Sequence, residues 1–114
     1  MFVNSYELMV ILRPDLNEER VGQEVSKYQD FLRDNAAEEV NVKVWGKRRL
    51  AYQIRRFNDG IYVLFTFTGA GHQIALIERD MRLNDNVMRF LSIKLTPEKP
   101  EKEDEEAVKE VIEA

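Results

Sequence analysis

The sequence predicts an α+β fold of the ferredoxin-like split βαβ type (βαββαβ), a four-stranded antiparallel sheet with two helices on one face. Three observations carry that expectation. Apolar residues alternate with period two in four stretches, they recur at helical spacing in two others, and the six segments run strand, helix, strand, strand, helix, strand. A chain of 114 residues suits one domain, which at this size buries roughly two-thirds of its unfolded surface without metal or disulfide.

Residues 5–12 read as the first strand, with Tyr6, Leu8, Val10 and Leu12 on one face and Met9 and Ile11 on the other. Pro14 closes it, and Asp15 followed by Glu18 is a capping-box-like helix start. The helix expected over about 16–34 carries Leu16, Val21, Val25, Tyr28, Phe31 and Leu32 as one apolar stripe, with acids opposite. Val40, Val42 and Val44 then alternate with polar neighbours, and after Gly46 the alternation resumes at Leu50, Tyr52 and Ile54. This is a long strand with a bulge at Gly46, the residue type that accepts the required backbone geometry. Asn58-Asp59-Gly60 is a turn signal, and Ile61 to Thr68 is rich in β-branched and aromatic residues, so 40–68 reads as a hairpin. Gly69 and Gly71 break that strand, and Ile74, Ile77 and Met81 recur at helical spacing up to Leu83. Val87 to Leu95 is the last strand. The domain is expected over 1–96, and the charged segment 97–114 is an acidic tail with too little apolar surface to fold alone.

Two helices cover one face of such a sheet, yet the first and third strands are apolar on both. Met9 and Ile11 oppose Leu8 and Val10, and Tyr62 and Leu64 oppose Val63 and Phe65. One set is expected on the uncovered face, as an apolar strip for a protein partner, self-association or base stacking, unless the long hairpin or the tail folds over it.

Charge is distributed unevenly. The formal net charge of −4 combines a tail of −5 with a body, 1–96, of +1. Within the body, 15–39 holds eight acids and three bases, whereas 40–58 holds Lys43, Lys47, Arg48, Arg49, Arg55 and Arg56 and no acid. The whole-chain value therefore says little about partners. The longest apolar run, near Ile61 to Phe67, is too short to span a bilayer, and the first residues lack a signal-peptide pattern. Without cysteine there is no disulfide, thiolate metal site or cysteine nucleophile.

Enzymatic signals are thin. His72, the sole histidine, has no clustered acid and serine, and the first-helix carboxylates are spaced as on a solvated face. Gly69-Ala70-Gly71 lacks the glycine fingerprint and lysine of a phosphate loop. An acylphosphatase-like enzyme would need an anion-gripping loop after the first strand, and Arg13-Pro14-Asp15 is too short for one. The positive signal is Lys47-Arg48-Arg49, set between Trp45 and Tyr52 and followed by Arg55, Arg56 and Phe57. Guanidinium groups hold phosphates bidentately, and interleaved aromatics stack on unpaired bases. Arg89 and Lys94 form a second basic group on the last strand. Single charges of this kind also protect sheet edges, but six bases without an acid exceed that need and favour RNA.

The run Gly46-Lys47-Arg48-Arg49-Leu50-Ala51-Tyr52-Gln53-Ile54, preceded by Tyr6-Glu7 and followed by Asp85-Asn86-Val87-Met88-Arg89, resembles the bacterial-type small-subunit ribosomal protein S6 family over about residues 4–96. The resemblance implies a non-enzymatic structural protein of the small ribosomal subunit. It implies binding to the central domain of small-subunit ribosomal RNA as a heterodimer with ribosomal protein S18, in a cytoplasmic or bacterial-type organellar ribosome. Lys47, Arg48, Arg49, Arg55, Arg89, Lys94 and Tyr6 are then the candidate RNA-contact residues. A basic residue often precedes the tyrosine in that family, and here Asn4 and Ser5 stand in those places. No metal, cofactor, membrane or small-molecule substrate is expected. The competing expectation is a ferredoxin-like protein-interaction or ligand-sensing module without RNA binding.

Overall fold

The computed structural model describes residues 4–95. It contains β1 (Asn4–Leu12), α1 (Glu18–Asp34), β2 (Glu38–Ile54), β3 (Phe57–Gly69), α2 (His72–Leu83) and β4 (Val87–Leu95). The strands form one sheet in the order β2-β3-β1-β4, each antiparallel to its neighbours. The expected split βαβ order is thus the observed one. The tail expected at 97–114 lies outside the described residues.

Strand register sorts the side chains. Tyr6, Leu8, Val10 and Leu12 lie opposite Phe67, Phe65, Val63 and Ile61. All eight are buried with Tyr28 and Leu32 of α1 and Ile77 and Met81 of α2. Tyr28 meets Phe65 edge-on, at 6.3 Å and 82° between ring planes. Polar contacts fix the helices over this layer. Asn84, at the end of α2, donates through Nδ2 to Glu24 Oε2 (2.7 Å) and to the Tyr28 hydroxyl (2.9 Å), and Asn86 Nδ2 donates to Glu24 Oε1 (2.9 Å). Burial pushes the Tyr28 phenol well above its ordinary pKa.

The opposite face is not a bare apolar strip. Met9, Ile11, Tyr62 and Leu64 are buried there with Leu50 and Met88, and Trp45, Ile54, Phe57, Leu91 and Ile93 pack around them. The far half of the long hairpin supplies Leu50, Ile54 and Phe57, so it folds back over the sheet. Two irregularities allow that curl. The β2–β3 register shifts between Val44 and Gly46, where Gly46 has φ +88°, and again between Arg49 and Ile54. Leu50, the buried one of the three, stabilises the closure by roughly 1.5–3 kcal/mol, and the half-buried Ile54 and Phe57 by less.

Two local expectations are corrected. The hairpin turn is made by Arg55 (φ 49°) and Arg56 (φ 70°), with Ile54 paired to Phe57, whereas Asn58-Asp59-Gly60 continue the strand. A two-residue turn with both residues left-handed matches strand twist. Two arginines adopt it because Arg55 Nη1 is held by the Asp85 carbonyl oxygen (3.0 Å) and the flanking side chains are anchored in the second core. Gly60 has a packing role instead: a Cβ there would collide with Ile11 Cγ2. The N-cap of α1 is Asn17, whose Oδ1 accepts from Arg20 N at 2.9 Å. Asp15 is occupied by Arg13, which donates to its two oxygens at 3.1 and 2.8 Å.

Candidate nucleic-acid interface

The second half of β2 carries the basic run, and pairing with β3 decides which way each side chain points. Lys47 lies opposite Ile61 and Arg49 opposite Asp59, whereas Arg48 lies opposite Gly60, so successive cations project to alternate sides of the hairpin arm. All three are exposed, as are Arg55 and Arg56 at the turn. Leu50, in the middle of the basic stretch, turns inward and is buried. The arm is therefore anchored by apolar residues while its cations remain in solvent.

Among the described residues, the side chains of Lys47, Arg49 and Arg56 carry no hydrogen bond, ion pair or ring contact. Arg55 is held by the Asp85 carbonyl oxygen, whereas Arg48, Arg89 and Arg13 lie near aromatic rings. Arg48 lies over Trp45 with its guanidinium carbon 5.1 Å from the ring centroid. Arg89 lies 5.3 Å from the centre of the Tyr52 ring, and its Nη1 donates to the Tyr52 hydroxyl. Arg13 lies 5.6 Å from the centre of Phe57. A guanidinium near an aromatic ring is restrained by cation–π attraction and keeps its remaining N–H groups available for phosphate oxygens.

The seven sequence candidates do not form one patch. Lys47, Arg48, Arg49 and Arg55 share the hairpin, and Arg89 joins them through Tyr52. Lys94 is separate: it pairs with Tyr6, whereas Arg89 pairs with Ile11, so the two β4 cations face opposite sides of the sheet. Five residues of strand place them about 16 Å apart. Tyr6 belongs to the core; its ring is buried and stacks on Phe67 with centroids 5.5 Å apart. Its hydroxyl lies so near Gly71, at φ +104°, that a Cβ there would stand 2.8 Å from it. Arg56 and Tyr52 enter the surface although the candidate set omitted them. Their signal was membership of the same acid-free stretch.

Elsewhere, a cleft of about 790 Å³ opens between the first turns of α1 and the bulged part of β2. Leu16, Val21, Val25 and Val44 line it, with Lys47 at its border, and Val44 is 53% exposed. Among the described residues, no group of three or more His, Asp or Glu side chains is arranged to hold a metal ion. No described helix is long and apolar enough to cross a membrane.

The sequence profile of the family described as ribosomal protein S6 matches residues 5–94, which take in all six elements but for the first residue of β1 and the last of β4. The chain belongs to the ribosomal protein S6 family. Small ribosomal subunit protein bS6 of a Synechocystis strain is 89% identical over 103 residues, covering 90% of this chain and 91% of that protein. The bS6 protein of Gloeothece citriformis is 58% identical over 91 residues, covering 80% of this chain and 52% of that longer protein. The crystal structure of 30S ribosomal protein S6 from Thermotoga maritima superposes with a TM-score of 0.77 at 24% identity, covering 94% of this chain and 99% of that one. At that identity the structural likeness speaks for the fold. The S6 assignment rests on the profile and on the Synechocystis relative, and both span the basic hairpin.

Proposed function

We propose that this protein is a structural constituent of the small ribosomal subunit that binds the central domain of small-subunit ribosomal RNA together with ribosomal protein S18. The observation that carries the reading is the hairpin arm, which is anchored by Leu50 and Ile54 and presents Lys47, Arg48, Arg49 and Arg56 to solvent in a stretch without acids. Phosphate binding by such an arm releases counterions and needs no pocket. Membership of the S6 family supports a ribosomal role, and Lys94, Arg55 and Arg89 extend the set of proposed contacts. Tyr6 is retained only as a residue that shapes the end of the sheet beside Lys94.

With a body of only +1, affinity for RNA alone is weak, and a cationic partner supplies charge and order before the RNA is engaged. With Met9, Ile11, Tyr62 and Leu64 buried on the second sheet face, one apolar surface open to a protein partner is the cleft beside α1, where Val44 lies exposed on the edge strand β2.

The test is sedimentation of the tagged full chain from a native extract. It is expected to travel with the small ribosomal subunit and to be released by ribonuclease or high salt. Association that survives both treatments would favour a protein-only module, and absence from the particle would overturn the proposal.

A further inference from the structure

Of four tyrosines, Tyr6, Tyr28 and Tyr62 are buried, whereas Tyr52 is 50% exposed. It lies on the hairpin arm between Leu50 and Ile54, which both pack into the second core, yet its own ring stays outside. Basic pairs flank it in the chain, Arg48-Arg49 before and Arg55-Arg56 after. Arg89, from β4, sits at the hydroxyl end of the ring, its guanidinium carbon 5.3 Å from the ring centre, and donates to the hydroxyl. The hydroxyl contact restrains the ring while the residue stays half exposed, which lowers the ordering cost for a flat ligand landing on it.

We propose that Tyr52 is a stacking platform for an unpaired RNA base, held at its hydroxyl by Arg89, with the neighbouring hairpin arginines engaging the adjoining phosphates. This rests on the RNA-binding reading above and deepens it: the ligand is RNA with an exposed, unpaired nucleotide, not continuous duplex. Bases within an A-form helix are stacked on one another and cannot reach such a ring, whereas bases in loops and bulges can. Charge complementarity selects nucleic acid over an apolar protein surface. With six bases and no acid from 40 to 58, and Asp59 the acid opposite Arg49, the segment that carries Tyr52 is net cationic and suits a polyanion, and an apolar partner would desolvate several cations without compensation.

The test compares two RNA probes on the full chain at low salt, an oligoadenylate of about twelve nucleotides and a duplex of similar length. With oligoadenylate, the Tyr52 ring protons are expected to move upfield in NMR spectra through the ring current of a stacked base, and with duplex they are not. Tyr52→Leu should weaken oligoadenylate binding by roughly 5- to 100-fold without changing the salt slope, because no charge is removed. Tyr52→Phe, which keeps the ring and loses the hydroxyl, should bind within about twofold of the parent protein, a difference below the range of one lost stack. Equal affinity of the parent and Tyr52→Leu proteins, or equal ring shifts with both probes, would overturn the platform and leave RNA binding standing. Failure of the parent protein to bind either probe even in complex with the partner protein would remove both readings. Ring shifts produced by the protein partner and not by RNA would assign Tyr52 to a protein contact and overturn the proposal.

Discussion

On one face of the sheet, two helices supply the cover, and the buried set draws on α1, α2, β1 and β3 through regular period-two and helical spacing. On the other face the cover is the sheet's own hairpin, bent back over Met9, Ile11, Tyr62 and Leu64. The first layer takes its order from helix packing and from the Glu24, Tyr28, Asn84 and Asn86 network. The second depends on one buried leucine, a bulge at Gly46, a left-handed turn and arginine–aromatic contacts. The difference locates function. The helix-covered layer maintains the fold, while the hairpin both closes the sheet and carries the cations proposed to meet RNA, so its packing positions the proposed interface.

The largest effect that separates the two layers is truncation of their buried leucines. Leu32→Ala, under the helices, should destabilise by about 2–5 kcal/mol in urea unfolding and leave the geometry of the hairpin unchanged. Leu50→Ala should cost about 2–3 kcal/mol and also weaken RNA binding, although it removes no charge. Intact RNA affinity in Leu50→Ala would break the link between the second core and the interface. Gly60→Ala comes next. Its new methyl group meets Ile11 from below the hairpin, and overpacking of this kind costs about 1–3 kcal/mol in thermal or urea unfolding.

A smaller effect belongs to the helix-covered side. Burial raises the Tyr28 pKa above the ordinary phenol value of about 10, so in alkaline solution the folded protein keeps a proton that the unfolded chain has lost. The resulting stability is fully present below about pH 10 and declines as pH rises beyond it. Tyr28→Phe should lose about 1 kcal/mol at neutral pH through the missing Asn84 hydrogen bond and show a flatter alkaline decline. An unchanged alkaline decline would show that Tyr28 is not its source. Removal of 97–114 should have no measurable effect on unfolding and should not weaken RNA binding, since an anionic segment repels phosphate. A lower melting temperature would show that the tail packs on the domain.

The order of elements and the faces of β1 and β3 were legible because alternation and helical spacing report directly on burial. What escaped was set by long-range contacts. Asn58-Asp59-Gly60 carries turn chemistry, yet Gly60 is required beside Ile11, and the turn falls on two arginines whose left-handed geometry no local signal announces. The helix cap moved from Asp15 to Asn17 because Arg13 engages the aspartate. For the interface, clustering in sequence found the hairpin cations. Pairing register then separated Lys94 from Arg89 and placed Tyr6 in the core, which residue type alone could not show.

The central claim, that the outward cations of the hairpin hold phosphates, is tested most directly by the salt dependence of RNA binding in the complex with the partner protein. Arg48→Ala combined with Arg49→Ala should leave circular dichroism and melting temperature unchanged, weaken binding and make the slope against log salt shallower by roughly one to two units. Binding and slope equal to those of the parent protein would contradict the account.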